Sequence, residues 1–237
     1  MATAAFFDVD NTLIRGSTSA YMARGLIGQG YFTKRQVADL LFRQVRFTIT
    51  SNEHAGDMAV IIGEVQRLLA GRKVSDVARV GGQIFDDRVI GNLWPEAVQL
   101  VQDHLANGEQ VWLVTSTGQE IADLVAERVG ATGALGTRSA IEDGVYTGEL
   151  VGPPLHGPAK AVAIRELAER LGLDLAASFA YSDSANDIPM LSAVGRAVAV
   201  NPDRKLRKHA SDRGWQILDF RYPSLVGRSL AWARVKI

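Results

Sequence analysis

The chain has 237 residues, 47% hydrophobic and 22% charged, which suits one globular domain or a core carrying an insert and excludes a disordered polymer. Lys+Arg and Asp+Glu both number 26, so the net charge is zero and there is no electrostatic footprint for nucleic acid. With no cysteine, disulfides, thiolate zinc sites and cysteine nucleophiles are excluded, and any metal must be held by oxygen or imidazole.

A first apolar run, Ala4 to Val9, ends on acids and predicts a strand. Residues 17–90 contain no convincing strand. Their apolar residues recur at helical spacing, as in Tyr21-Met22 with Leu26-Ile27, Val37 with Leu40-Leu41, and Met58 with Ile61-Ile62 and Val65, predicting three or four inserted helices. Trp94-Pro95 reads as the start of a helix from Pro95 to Ala106, with proline in its first position. Gln110 to Val114 predicts a second strand, leading through Thr115-Ser116-Thr117-Gly118 into an amphipathic helix from Gln119 to Val129. Between Ile141 and Leu150, Asp143-Gly144 sits among alternating residues and predicts a β-hairpin turn. A helix from Ala159 to Leu171 follows, then strands at Ser178 to Tyr181 and Ala197 to Val200, with Gln216 to Leu218 as a short last one. Strands alternating with helices predict a parallel sheet covered on both faces, and such sheets bind ligands at the strands' carboxyl ends.

The polar residues at those ends carry the chemistry. Asp8 and Asp10 follow the first strand, and in an extended chain they point to one side. A divalent cation relieves the repulsion of such a pair, and magnesium prefers hard oxygen ligands. The plainer account is an Asx turn with a capping aspartate. Asp183 and Asp187 follow the third strand end; if a helix opens there, their spacing places both on one face, although caps and first-turn acids look the same. Thr115 or Ser116 offers a hydroxyl at the end of a buried strand, and Lys160 opens a helix after Gly157-Pro158. Alone, each reads as a cap or a solvated side chain. Together they place two acids, a hydroxyl, a cation and two more acids on one side of the sheet.

That order resembles the haloacid dehalogenase superfamily, and within it the phosphoserine-phosphatase-like branch. The resemblance covers nearly the whole chain. It includes Asp8-x-Asp10-x-Thr12, Val114-Thr115-Ser116, Gly157-x-x-Lys160, Asp183-Ser184-x-x-Asp187 with Pro189-Met190-Leu191, and the hairpin Asp143 to Gly148. It implies an α/β fold: a Rossmann-like parallel sheet flanked by helices, formed by residues 1–16 and 91–237, with a helical cap at 17–90 and a small β-hairpin. It also implies a magnesium-dependent phosphomonoester hydrolase acting on a small phosphorylated metabolite. In that mechanism Asp8 is the nucleophile, forming an aspartyl-phosphate, and Asp10 is the general acid and base. Thr115, with Ser116 as the alternative, holds the phosphate, and Lys160 neutralises charge. Asp8, the Asp10 carbonyl, Asp183 and, directly or through water, Asp187 hold Mg2+.

Three positions depart from the branch pattern. Ser182-Asp183 stands where the fourth motif usually begins Gly-Asp, and Thr115-Ser116-Thr117-Gly118 stands in place of Ser-Gly-Gly. Arg15 to Ser19 lacks the glutamate that holds a substrate ammonium in phosphoserine phosphatases. Arg43 and Arg46 of the cap are candidate contacts for a second anionic group, although a solvated helix face explains such arginines equally well. Rival readings are a phosphotransferase using the same intermediate and a silent binding protein on the same fold. No run approaches the roughly 18 apolar residues of a membrane span, and no basic region precedes Asp8, so the sequence predicts a cytoplasmic protein without an integral membrane segment. An apolar cap surface would suit a homodimer.

Overall fold

The structure is a computed structural model and describes residues 2–28, 62–63 and 65–220. The predicted helices around Val37 to Val45 and Met58, together with Arg43 and Arg46, lie outside the described residues.

Six parallel strands form one sheet in the order β3-β2-β1-β6-β7-β8. They are β1 (Ala4–Phe7), β2 (Gln110–Gly118), β3 (Gly133–Thr137), β6 (Phe179–Ser182), β7 (Arg196–Val200) and β8 (Gln216–Leu218). Alternation assigns each strand residue to a face. Ala5 and Phe7 of β1 join Leu113, Tyr181 and Val198 on one side, under α1 (Thr18–Gly28), α2 (Val74–Ile84), α3 (Pro95–Ala106) and α4 (Gln119–Val129). Ala4 and Phe6 join Val114, Ala180 and Ala199 on the other, under α5 (Pro158–Leu171), α6 (Ile188–Leu191) and α7 (Arg204–Arg213). With both faces covered, the central strands read as continuous apolar runs.

The hairpin forms as a separate two-stranded sheet, β4 (Ser139–Glu142) with β5 (Val145–Leu150). Its turn residues Asp143 (φ 49°) and Gly144 (φ 76°) are both left-handed, as a two-residue turn of this kind needs. The strand at residues 133–137 was not predicted, because glycines occupy two of its five positions. Gly133 lies against the Trp112 ring and Gly136 against the backbone of Thr117 and Gln119, so close approach replaces the usual branched side chains.

Several boundaries differ from the sequence reading; the strand expected at Ser178 to Tyr181 runs from Phe179 to Ser182, and the one expected from Ala197 begins at Arg196. The first strand stops at Phe7, so the two acids belong to the following turn, where Asn11 is left-handed (φ 58°). The second strand runs on to Gly118, and its pairing with β3 shifts register between Val114 and Gly118, which puts Thr115, Ser116 and Thr117 in an irregular stretch. The helix expected from Ala159 begins one residue earlier, with Pro158 in its first turn.

The described helices between β1 and α3 share the core of the sheet. Met22, Val80, Ile84, Phe85 and Val89 belong to the same buried cluster as Leu113 and Val125. After α2 the chain makes a π-helical turn at Phe85–Val89 and a 3₁₀ turn at Ile90–Asn92. Segments 13–15 and 92–94 then pair, with Trp94 N–H donating to Leu13 C=O at 2.9 Å and Arg15 N–H to Asn92 C=O at 2.7 Å. Among the described residues no helix is long and apolar enough to cross a membrane.

Candidate active site

Asp8 leaves the central strand β1 between β2 and β6. Its N–H donates to Tyr181 C=O at 2.9 Å, which fixes the backbone at the strand's carboxyl end. Thr12, one turn further on, donates its hydroxyl to Asp8 Oδ2 at 3.2 Å. Lys160, in the first turn of α5, reaches across to donate to Asp8 Oδ1 at 2.6 Å and to Asp187 Oδ2 at 2.7 Å. All three side chains are buried. Ser182, fully buried at the end of β6, donates its hydroxyl to the same Asp187 Oδ2 at 2.8 Å and accepts the Ser184 N–H at 3.2 Å.

Asp183 sits in the bend after β6, before the 3₁₀ turn Ala185–Asp187, so Asp183 and Asp187 share a loop rather than one helix face. Their charges still interact. Burial, with Asp187 adding to it, pushes Asp183 up to about 7, while its own backbone amide, Lys160 and the Asn11 side chain pull the other way. Burial likewise pushes Asp8 up to about 8; Lys160 opposes this, and Asp187 and Asp183 reinforce it. Burial alone would lower Lys160, but the Asp8 and Asp187 carboxylates overcome it and hold the ammonium charged. Three carboxylates facing one ammonium leave a surplus of negative charge in a desolvated place.

Asp10 is held by the start of α1, its Oδ1 accepting the Thr18 N–H at 2.9 Å. The Thr115 hydroxyl is buried and works within its own stretch, accepting the Thr117 N–H at 3.2 Å and donating to Thr117 Oγ1 at 3.3 Å. Ser116 is held through its backbone, its C=O accepting from Thr137 Oγ1 at 2.7 Å. By register, Phe7 of β1 pairs with Leu113, so Thr115, still within β2, lies one residue beyond the level of Asp8. His156, half-buried before α5, is lowered by burial and then by the Lys160 charge.

Sequence reasoning thus names the acids, the hydroxyls and the lysine, and the structure brings Asp8, Lys160 and Asp187 into direct contact, with Asp183 close enough to couple. The orienting residues are Asn11, Thr12 and Ser182; the sequence places Thr12 in the first motif and Ser182 at the start of the fourth but assigns neither a role, and Asn11 goes unmarked. Asn11 lies in the motif itself, and a left-handed asparagine in a tight turn is the signal that could have marked it. His104, remote in sequence from every motif, joins Glu109 and the Tyr181 hydroxyl under the sheet, where burial followed by Glu109 raises the Tyr181 pKa. Among the described residues no three carboxylate or imidazole side chains form a ready-made metal cage. The donors present are nevertheless oxygens, and their uncompensated charge suits a hard divalent cation.

A family model for haloacid dehalogenase-like hydrolases matches residues 5–192. Phosphoserine phosphatase SerB1 of Mycobacterium tuberculosis is 47% identical over 221 residues, covering 93% of this chain and 72% of the relative. A histidinol-phosphatase of Neisseria meningitidis is 30% identical, covering 93% of this chain and 100% of the relative. Among solved structures, a protein of unknown function from Bordetella pertussis Tohama I superposes with a TM-score of 0.79 at 31% identity, covering 92% of this chain and 99% of that one. A substrate-bound phosphoserine phosphatase complex shares the fold, with a TM-score of 0.62 at 19% identity over 96% of each chain. On its own motifs and on these matches, the chain belongs to the haloacid dehalogenase-like hydrolase family.

Proposed function

We propose that the protein is a magnesium-dependent phosphomonoester hydrolase that works through an aspartyl-phosphate on Asp8. The observation that carries this reading is Lys160, buried and donating to Asp8 Oδ1 at 2.6 Å at the carboxyl edge of the central strand. A carboxylate held this way keeps one face oriented and its charge partly neutralised, which prepares it to approach a phosphate. Relatives with phosphatase names support the choice of phosphate ester over other substrates.

Asp8 attacks phosphorus, and the bond from phosphorus to the alcohol oxygen breaks as Asp10 gives that oxygen a proton. Asp10 then takes a proton from water, the water oxygen bonds to phosphorus, and the Asp8–phosphorus bond breaks to release inorganic phosphate. Thr115, or Ser116 in its place, donates to a phosphoryl oxygen, and Lys160 neutralises charge that develops there. Asp8, Asp183 and the Asp10 carbonyl would hold Mg2+, with Asp187 alongside. When bound, the cation supplies positive charge that offsets the repulsion between the Asp8 carboxylate and the phosphate.

Residues 17–90 act as the helical cap that covers a small substrate and excludes water. The alcohol is a small one of the serine or histidinol size. The first turn of α1, built from Thr18 onward, carries no acid, so a substrate ammonium finds no charged partner there, which favours a phosphoester without an ammonium over phosphoserine itself. The test is phosphate release from a panel of small phosphomonoesters, with magnesium or with chelator, for wild type beside Asp8→Ala. Magnesium-dependent turnover that disappears in the variant is the expected result. A folded wild type that turns over none of the panel would remove the hydrolase reading, and phosphoryl transfer to added alcohols would then be the reaction to measure.

A further inference from the structure

We propose that Asp203 is a positioning residue for the acid-bearing loop 183–187, an inference that rests on the phosphatase reading above. The loop has a packing problem of its own. It holds Asp183 and Asp187 near Asp8, and the three like charges favour a splayed loop. From inside, Ser182 and Lys160 restrain only Asp187. Asp183 has the Asn11 side chain as a partner, and the loop backbone beside it takes a further restraint from twenty residues along the chain.

Asp203 is the N-cap of α7, and its carboxylate divides its work. Oδ1 accepts the Leu206 N–H at 2.8 Å, which is the ordinary task of a cap. Oδ2 accepts the Ala185 N–H at 2.8 Å, and the Asp203 N–H donates to Asp183 C=O at 2.8 Å. One residue therefore grips the loop at two points that flank Ser184. The post itself is fixed. Asn201, in a left-handed conformation (φ 43°), donates its N–H to Leu218 C=O at 2.8 Å, and its Oδ1 accepts the Phe220 N–H at 2.8 Å. Pro202 between them is buried. Capping α7 needs only one oxygen, and the second is spent on the loop. The consequence is that Asp183 and Asp187 are gathered before a cation arrives, so binding does not have to order them.

Two substitutions separate this role from capping. Asp203→Ala removes the cap and the side-chain tether. Ala185→Pro removes only the tether's donor, at the first residue of a 3₁₀ turn, after a residue whose ψ of 138° suits a following proline. Asp174→Ala is the control for lost stability: its Oδ1 accepts the Ala176 and Ala177 N–H groups at 2.9 and 3.2 Å at the opposite end of β6. Calorimetric titration with Mg2+ alone, without substrate, measures binding in the full chain, and phosphate release gives the magnesium needed for half-maximal rate. We expect Asp203→Ala and Ala185→Pro each to weaken Mg2+ binding by about fivefold, one hydrogen bond's worth, and to raise the half-maximal concentration in parallel. Asp203→Asn, which keeps one acceptor oxygen, should recover part of the loss, and Asp174→Ala should bind as wild type does. Binding by Asp203→Ala equal to that of Asp174→Ala would overturn the proposal, and this pair decides it even if Ala185→Pro does not fold. An inactive wild type would count against the phosphatase reading, while the binding comparison would still decide the role of Asp203.

Discussion

Lys160 shows what a single side chain does to its surroundings. Its ammonium lies between two buried carboxylates, with Asp183 half-buried nearby, so Lys160→Met leaves Asp8 and Asp187 without their charged partner. Where Asp8 is ionised the loss should be about 3 kcal/mol of stability, shrinking as pH falls below the Asp8 value of about 8, and urea unfolding at two pH values measures it. The same surplus of charge makes stability depend on pH. With Asp8 held up at about 8 and Asp183 at about 7, the folded, metal-free protein keeps protons that the unfolded chain has released. Their contribution is therefore complete below the ordinary carboxylate pKa and is lost as pH rises through these values. The rise in Tm given by saturating Mg2+ should thus be larger at pH 8 than at pH 5, and an equal rise at both would contradict the assignment. The Thr115 hydroxyl can be separated from Ser116 by rate: Thr115→Ala should raise KM for phosphomonoesters about tenfold, as expected for a lost hydrogen bond to a charged group, and Ser116→Ala much less. Reversed effects would move the phosphate to Ser116. At this scale the sequence reveals the charged residues, because their types and spacing are unusual. The side chains that aim them, Thr12, Ser182 and Asp203, are ordinary residues whose roles depend on which distant atom they meet.

The elements were legible where the pattern was strong. Short continuous apolar runs marked the central strands, and Asp143-Gly144 marked a hairpin whose two turn residues are indeed left-handed. The edge strand β3 was not legible, since Gly133 and Gly136 serve backbone contacts that lie outside any local pattern. The hairpin also carries more than its own pairing: Gly71 N–H donates to Tyr146 C=O at 2.9 Å, and Tyr146 N–H to Arg72 C=O at 3.0 Å, so it binds the segment that precedes α2. Gly195 shows how closely elements approach near β7. A Cβ there would come within 1.8 Å of the Ala176 carbonyl oxygen, which is backbone and cannot swing aside. Gly195→Ala should therefore destabilise the protein by about 3 kcal/mol or prevent folding, and a thermal melt would show it.

At the scale of the whole molecule, the insertion and the sheet are energetically joined. Val80, Ile84, Phe85 and Val89 pack with sheet and helix residues of the surrounding fold. Replacing residues 17–90 by a short linker should therefore leave an apolar face uncovered, and the product should bind a hydrophobic dye or aggregate rather than melt cooperatively. A truncated protein with a sharp melt would show that the sheet is self-sufficient. The position of β1 has a consequence for how the protein is made. It leaves the ribosome before the other strands of its sheet, yet it lies in the middle of that sheet, between β2 and the much later β6. During synthesis one edge of β1 has to wait, unpaired, for roughly 170 residues until β6 emerges (Phe7 pairs with Tyr181). A chain that stalls before that point carries an open, apolar strand edge and no assembled site. The cell's quality-control machinery would meet the nascent protein in that state, and the site would be complete only after β6 and the loop behind it have emerged.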